Sequence, residues 1–308
     1  MTASHTGPLP RPAMASALAS QTASTTAAGP ESKFSQWVDT DEIHWHIQRA
    51  GSGIPMLLVH GTGSSTHSWS GLLPQLSEDH ELLAPDLPGL GQTRAPDADF
   101  SIGGMAQSVG QLLRHTRFEP RVAVGHSAGV AIILRMVLDG WLQPNLVVGI
   151  NAALLPFGGT LARALQPLAR LFSRLPVIPT LAAARARQPG AVERLIGSTG
   201  SRLSPEGIAD YRRLLGSERH VAATLSMMAS WDLDGLLADL PRLDVPLCLI
   251  VGGRDYAVPP GQAERIRSRM RHVSVRRLPG LGHLAHEERP QLMAEIIREC
   301  ERQHEDAS

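Results

Sequence analysis

The chain has 308 residues, 43% hydrophobic and 19% charged, so it can bury a large core and lies far from compositions that stay disordered. Lys+Arg 29 balance Asp+Glu 29; the basic excess that phosphate-backbone binding needs is missing, and a nucleic-acid partner is disfavoured. Cys248 and Cys300 lie in an apolar run and a helical pattern, which suggests neither a disulfide framework nor a metal site and fits a reducing, cytoplasmic compartment. No apolar stretch reaches the roughly 18 residues of a membrane span, which leaves only peripheral membrane contact open.

Residues 1–30 carry small polar and Ala-rich repeats without hydrophobic periodicity and are expected to form a disordered leader. From Trp37 onward short strand-like runs alternate with helical stretches. The strands are expected at Ile43–Gln48, Met56–His60, Glu81–Asp86, Val122–Gly125, Leu146–Ile150, Leu247–Val251 and Val273–Leu278, and the helices at Ile102–His115, Ala128–Leu138, Gly261–Met270 and Pro290–Arg302. Continuously apolar strands between helices predict an α/β fold with a mostly parallel sheet covered on both faces. The alternation fails over 152–231, where Leu, Ala and Arg recur at helical spacing. The expected organisation is a core of 31–151 and 232–303, a helical lid of 152–231 and a tail of 304–308.

Gly125-His126-Ser127-Ala128-Gly129 follows one strand and opens a helix, the context of a G-x-S-x-G nucleophile elbow. Such a serine needs strained backbone, and Gly125 and Gly129 remove Cβ atoms that would collide across the turn. A serine hydroxyl also needs a base, and the base a carboxylate to orient it. Asp255 and His283 follow the last two strands in that order, on loops at their carboxyl ends, where open α/β sheets place their sites. Ser127, Asp255 and His283 are the expected catalytic residues. His286 is the rival base, but His283 is held between Gly282 and a helix entry. Asp86 is a rival acid that more readily organises the Leu-Pro-Gly-Leu-Gly turn after it, and position 151, a third place for an acid, holds Asn.

His60-Gly61-Thr62-Gly63 directly follows another strand and suits an oxyanion hole built from the backbone N–H of Thr62 and of Ala128; His60 itself reads as structural. His44 and His46 alternate on a strand without a third ligand, so no metal is expected. Trp69 reads as packing beneath the oxyanion loop. Met227, Met228 and Trp231 have near-helical spacing, with core packing the default and substrate lining the sharper alternative.

These motifs, in this order, resemble the α/β-hydrolase superfamily from about Phe34 to Arg302. Ser127 separates the chain from the haloalkane dehalogenases and epoxide hydrolases, whose nucleophile is a carboxylate. His60-Gly-Thr-Gly-Ser-Ser-Thr-His-Ser-Trp, Gly125-His-Ser-Ala-Gly-Val-Ala-Ile, Asn151-Ala-Ala-Leu-Leu-Pro-Phe and Met227-Met-Ala-Ser-Trp-Asp-Leu look more narrowly like the magnesium-chelatase accessory proteins of bacteriochlorophyll biosynthesis. That resemblance implies a role near magnesium insertion and a chelatase partner; the long leader departs from it.

Two expectations follow. One is a serine hydrolase without cofactors, acting on a small hydrophobic acyl or tetrapyrrole-like substrate. The other is a non-catalytic module that holds a tetrapyrrole or supports a chelatase. Ten Arg against four acidic residues in 152–231 could meet substrate carboxylates or an anionic membrane, or simply form a solvated face.

Overall fold

The computed structural model describes residues 33–40, 42–156, 175 and 177–306; the leader lies outside them. Strands β1 (Ser35–Asp39), β2 (His44–Ala50), β3 (Ile54–Val59), β4 (His80–Pro85), β5 (Val122–His126), β6 (Leu146–Ile150), β7 (Leu247–Gly252) and β8 (Val273–Leu278) form one sheet in the order β1-β2-β4-β3-β5-β6-β7-β8. β2 runs antiparallel to β1 and β4, and the remaining pairs are parallel. Each expected strand is present within a few residues. β1 was not expected: only its inner edge is paired, and three of its five residues are exposed, so it lacks the apolar run that marks the others.

The apolar runs have a direct cause. In β3 Leu57 and Val59 point into one core while Met56 and Leu58 point into the other, because successive side chains leave opposite faces and both faces are covered. Helices α2 (Ile102–Thr116) and α3 (Ala128–Leu138) cover the first face through residues such as Val109, Leu112 and Ile133. The short α1 (Leu73–Leu76) and the C-terminal helix, here α11 (Pro290–Glu305), cover the second through Leu76, Met293 and Ile297. That last helix continues to Glu305, into what reads as tail in the sequence.

Between β6 and β7 the regular elements among the described residues are all helices: α4 (Val177–Ala186), α5 (Ala191–Ser198), α6 (Pro205–Leu215), α7 (Glu218–Ser230) and α8 (Asp234–Asp239), with a short 3-10 turn at Leu240–Arg242. Two shorter helices, α9 (Gln262–Arg267) and α10 (Ala285–Glu288), flank β8. Among the described residues no helix is long and apolar enough to cross a membrane.

One expectation is corrected. Cys248 on β7 and Cys300 on α11 are joined as a disulfide, with Cα atoms 6.3 Å apart and a sequence separation of 52 residues. Both are buried in the second core. No spacing rule links a strand cysteine to a helix cysteine that far away, so the pairing is visible only once the helix lies on the sheet. The cysteines therefore no longer argue for a reducing compartment.

Candidate active site

Ser127 occupies the turn between β5 and α3 with φ 51° and ψ −116°, backbone that L-residues adopt only under strain. The flanking glycines make this turn possible. A Cβ on Gly129 would lie 2.2 Å from the Val59 carbonyl oxygen, and one on Gly125 would lie 2.7 Å from the Val130 amide nitrogen. The Ser127 amide donates to the Ile150 carbonyl (2.9 Å) and its own carbonyl accepts from Ala153 N–H (3.1 Å), so the neighbouring strand end fixes the turn.

The structure brings Asp255 and His283 together. His283 Nδ1–H donates to Asp255 Oδ2 at 2.9 Å, while Asp255 Oδ1 accepts from the amides of Ala257 (2.9 Å) and Val258 (2.7 Å). The Asp255 side chain is fully buried, and these three donors satisfy a charge that burial would otherwise penalise. Among the described residues no hydrogen bond joins Ser127 Oγ to the His283 ring, a separation common in sites without substrate.

Thr62 and Ala128 lie where the sequence places them, after β3 and at the first turn of α3. Among the described residues neither amide is used in a backbone hydrogen bond, and the helix start adds the positive end of its dipole. His60 is structural: Nδ1–H donates to the Gly61 carbonyl (2.8 Å) and Nε2 accepts from Leu87 N–H (3.0 Å). Burial lowers its pKa, and the two bonds fix one neutral tautomer.

Asp86 organises its turn and takes no part in the pair. It accepts from the amides of Thr66 (2.6 Å) and Gln92 (2.7 Å) and from His46 Nδ1 (2.9 Å). Burial alone would raise its pKa, but the His46 bond and charge and the nearby amides hold it at about 2. His44 stacks on Trp37 and bonds to Asp39. Among the described residues no group of three His, Cys, Asp or Glu is placed to hold a metal ion.

His286, the rival base, is fully buried, and among the described residues neither ring nitrogen makes a hydrogen bond, Glu287 Oε1 lying 3.8 Å from Nε2. Its ring packs 4.8 Å from Trp69 and 4.4 Å from His126, and burial, then the charge of His283, lowers its pKa to about 3. Trp69 is fully buried in the second core, against the His286 ring.

The three insertion residues separate. Met227 is fully buried, and its sulfur accepts the Thr62 hydroxyl at 3.4 Å. Trp231 is half-buried against the first core. Met228 is 61% exposed, so the structure does not bring it to Thr62 with Met227. Several insertion arginines are already engaged: Arg219 donates to the carbonyls of Gly89, Gly91 and Thr93, Arg212 pairs with Glu193, and Arg213 with Asp210. Arg163, Arg170 and Arg174 lie outside the described residues.

Sequence reasoning missed Asn151 and His126 as parts of the site. Asn151, at φ 47°, donates Nδ2–H to the carbonyls of Gly282 (3.0 Å) and His283 (2.8 Å) and accepts Gly252 N–H at 2.7 Å. His126 Nε2–H donates to the same His283 carbonyl at 2.9 Å. The signal the sequence offers for Asn151 is a polar residue straight after an apolar strand.

The family model for the alpha/beta hydrolase family matches residues 56–296. The chain belongs to this family. It is 36% identical over 248 residues, 80% of this chain and 86% of the relative, to a Rhodobacter capsulatus protein named Magnesium-chelatase 30 kDa subunit. Among solved structures, an alpha/beta hydrolase fold protein from Burkholderia ambifaria superposes with TM-score 0.72 at 25% identity, over 86% of this alpha/beta hydrolase and 97% of that chain. An esterase from Thermogutta terrifontis shares the fold, with TM-score 0.68 at 24% identity over 88% and 98% of the two chains.

Proposed function

We propose that this alpha/beta hydrolase is a serine hydrolase cleaving ester bonds of a small hydrophobic substrate, with Ser127 as nucleophile, His283 as base and Asp255 as orienting carboxylate. The observation that carries the reading is the strained Ser127 turn after β5 together with the 2.9 Å Asp255–His283 hydrogen bond between the loops after the parallel strands β7 and β8. A binding module has no use for strained backbone at a serine or for an imidazole oriented by a buried carboxylate. With Asp255 holding Nδ1–H, the Nε2 lone pair of His283 is free to take the Ser127 proton as Oγ attacks the carbonyl carbon. The negative charge that forms on the carbonyl oxygen is met by the Thr62 and Ala128 amides. The leaving alcohol takes the proton from His283, and water activated by the same ring then releases the acid. The helical insertion would serve as lid, with Met227 and Trp231 on the substrate side.

A fluorophosphonate should label Ser127, and Ser127→Ala should abolish labelling and hydrolysis of short acyl esters while leaving the melting temperature within a few degrees of wild type. A folded Ala variant with wild-type turnover would sink the reading.

A second reading rests on the similarity to the magnesium-chelatase subunit over most of the chain: the protein supports magnesium insertion by holding a tetrapyrrole or a chelatase partner. In a strain lacking the chain, rescue by wild type but not by Ser127→Ala at matched protein levels favours catalysis. Full rescue by Ser127→Ala favours holding.

A further inference from the structure

Three arms of the candidate site meet at two consecutive residues. The Ile150 carbonyl receives the Ser127 amide, and the next side chain, Asn151, holds the other two arms. Its oxygen takes Gly252 N–H (2.7 Å) at the end of β7, and the Gly252 carbonyl in turn holds the Asp255 amide (3.2 Å). Its NH₂ group bonds the Gly282 and His283 carbonyls on the loop after β8. One buried amide therefore uses its acceptor on the acid loop and its two donors on the base loop, with His126 Nε2–H as a second donor to the His283 carbonyl.

We propose that Asn151 is a positioning residue that fixes the Asp255–His283 pair relative to Ser127, which builds on the serine-hydrolase reading above. An amide suits the place for a chemical reason. Two carbonyl oxygens and one N–H converge there, and only a side chain with both donors and an acceptor satisfies all three. A carboxylate would hold Gly252 but face two carbonyl oxygens with no hydrogen to give them. Residue 151 has a positive φ of 47°, and Asn tolerates that conformation better than most residues. Position 151 thus serves the pair without carrying the acid itself.

The test uses the full chain and compares Asn151→Asp, Asn151→Ala and Val109→Ala, the last a stability-lowering change at a buried position on α2, a helix that carries no candidate site residue. A p-nitrophenyl ester gives kcat and KM, a fluorophosphonate gives the labelling rate of Ser127, and calorimetry gives the melting temperature. Below the melting transition, kcat and the labelling rate should fall roughly 10- to 100-fold in both Asn151 variants with KM within about twofold. The Val109 variant should keep its kcat while melting earlier. Asn151 variants that lose stability but keep kcat and labelling rate, as Val109→Ala does, would overturn the proposal, and so would an Asn151→Asp chain that does not fold, since the residue would then serve the sheet. If the Ala chain alone fails to fold, Asn151→Asp decides. A wild type that neither labels nor turns over ester would remove the serine-hydrolase reading itself, a result distinct from wild-type activity that Asn151 does not affect.

Discussion

The hydroxyl of Tyr211, on insertion helix α6, donates a 2.7 Å hydrogen bond to the carboxyl group of Glu287 on the short helix that follows His283. The same phenol lies 3.3 Å from the Ser64 hydroxyl, beside the oxyanion loop. One buried tyrosine therefore ties the insertion to both loops that frame the candidate site. Burial pushes Glu287 up to about 8, against the lowering effect of the Tyr211 bond, and pushes Tyr211 well above its ordinary range. At neutral pH Glu287 is thus mostly an uncharged acid, and the His286 ring, whose Nε2 lies 3.8 Å from Glu287 Oε1, is uncharged there as well.

This sets the sign of a pH effect on stability. Between the ordinary 4.5 and about 8 the folded chain holds a proton on Glu287 that the unfolded chain has released, so stability falls as pH rises through that window. Glu287→Gln carries no proton to lose and still accepts from Tyr211. From pH 6 to pH 9 the wild type should lose more melting temperature than the Gln variant. Parallel melting curves across that range would mean Glu287 is ionised in the fold.

His286 acts with the opposite sign. Its pKa is lowered from 6.5 to about 3, so acidification below 6.5 drives a proton onto the unfolded chain that the folded one resists, and stability falls with pH. His67 and His220, lowered to about 3 and about 4, add to the same acid limb. His286→Leu should flatten that limb between pH 6.5 and 4 in thermal melts, since no nitrogen of the ring is hydrogen-bonded. Ester turnover at pH 8 should stay within a few-fold of wild type; a collapse of turnover would give His286 a role in the chemistry.

The sheet was legible in the sequence because local pattern and tertiary surroundings agree there: β3 is apolar at every inner position from Met56 to Val59, since both faces are covered. The serine turn was legible for a similar reason. Gly125 and Gly129 are forced by contacts with Val130 and Val59 that any strand-turn-helix of this kind must make. What escaped the sequence was set by packing between distant segments. Cys248 meets Cys300, Tyr211 meets Glu287, and Asn151 meets Gly252 and His283 only after the sheet has formed. Edge strand β1 escaped because an exposed strand needs no apolar run. Met227 and Met228 are adjacent in sequence, yet one is buried and the other exposed, since neighbours on a helix lie about 100° apart.

Helix α7 also grips the loop after β3, proposed above as the oxyanion loop, and this gives the last prediction. On α7, His220 Nδ1 accepts Gly91 N–H at 3.0 Å, so the remaining proton sits on Nε2, which donates to the Gly63 carbonyl at 3.2 Å. One turn later Thr224 Cγ2 would lie 3.3 Å from a Cβ placed on Gly63, and the Met227 sulfur accepts the Thr62 hydroxyl. The loop offering the Thr62 amide is therefore held from the insertion side at consecutive residues. Loosening it should weaken stabilisation of the developing oxyanion more than binding of the neutral ester, since the amide is used most fully in the transition state. His220→Ala should lower kcat roughly 10-fold with little change in KM, and His220→Gln, which can still accept and donate, should recover much of the loss. Steady-state kinetics on one ester at pH 8, where the imidazole is neutral in folded wild type, would separate the cases. Equal kcat in all three proteins would show that α7 covers the loop without shaping it.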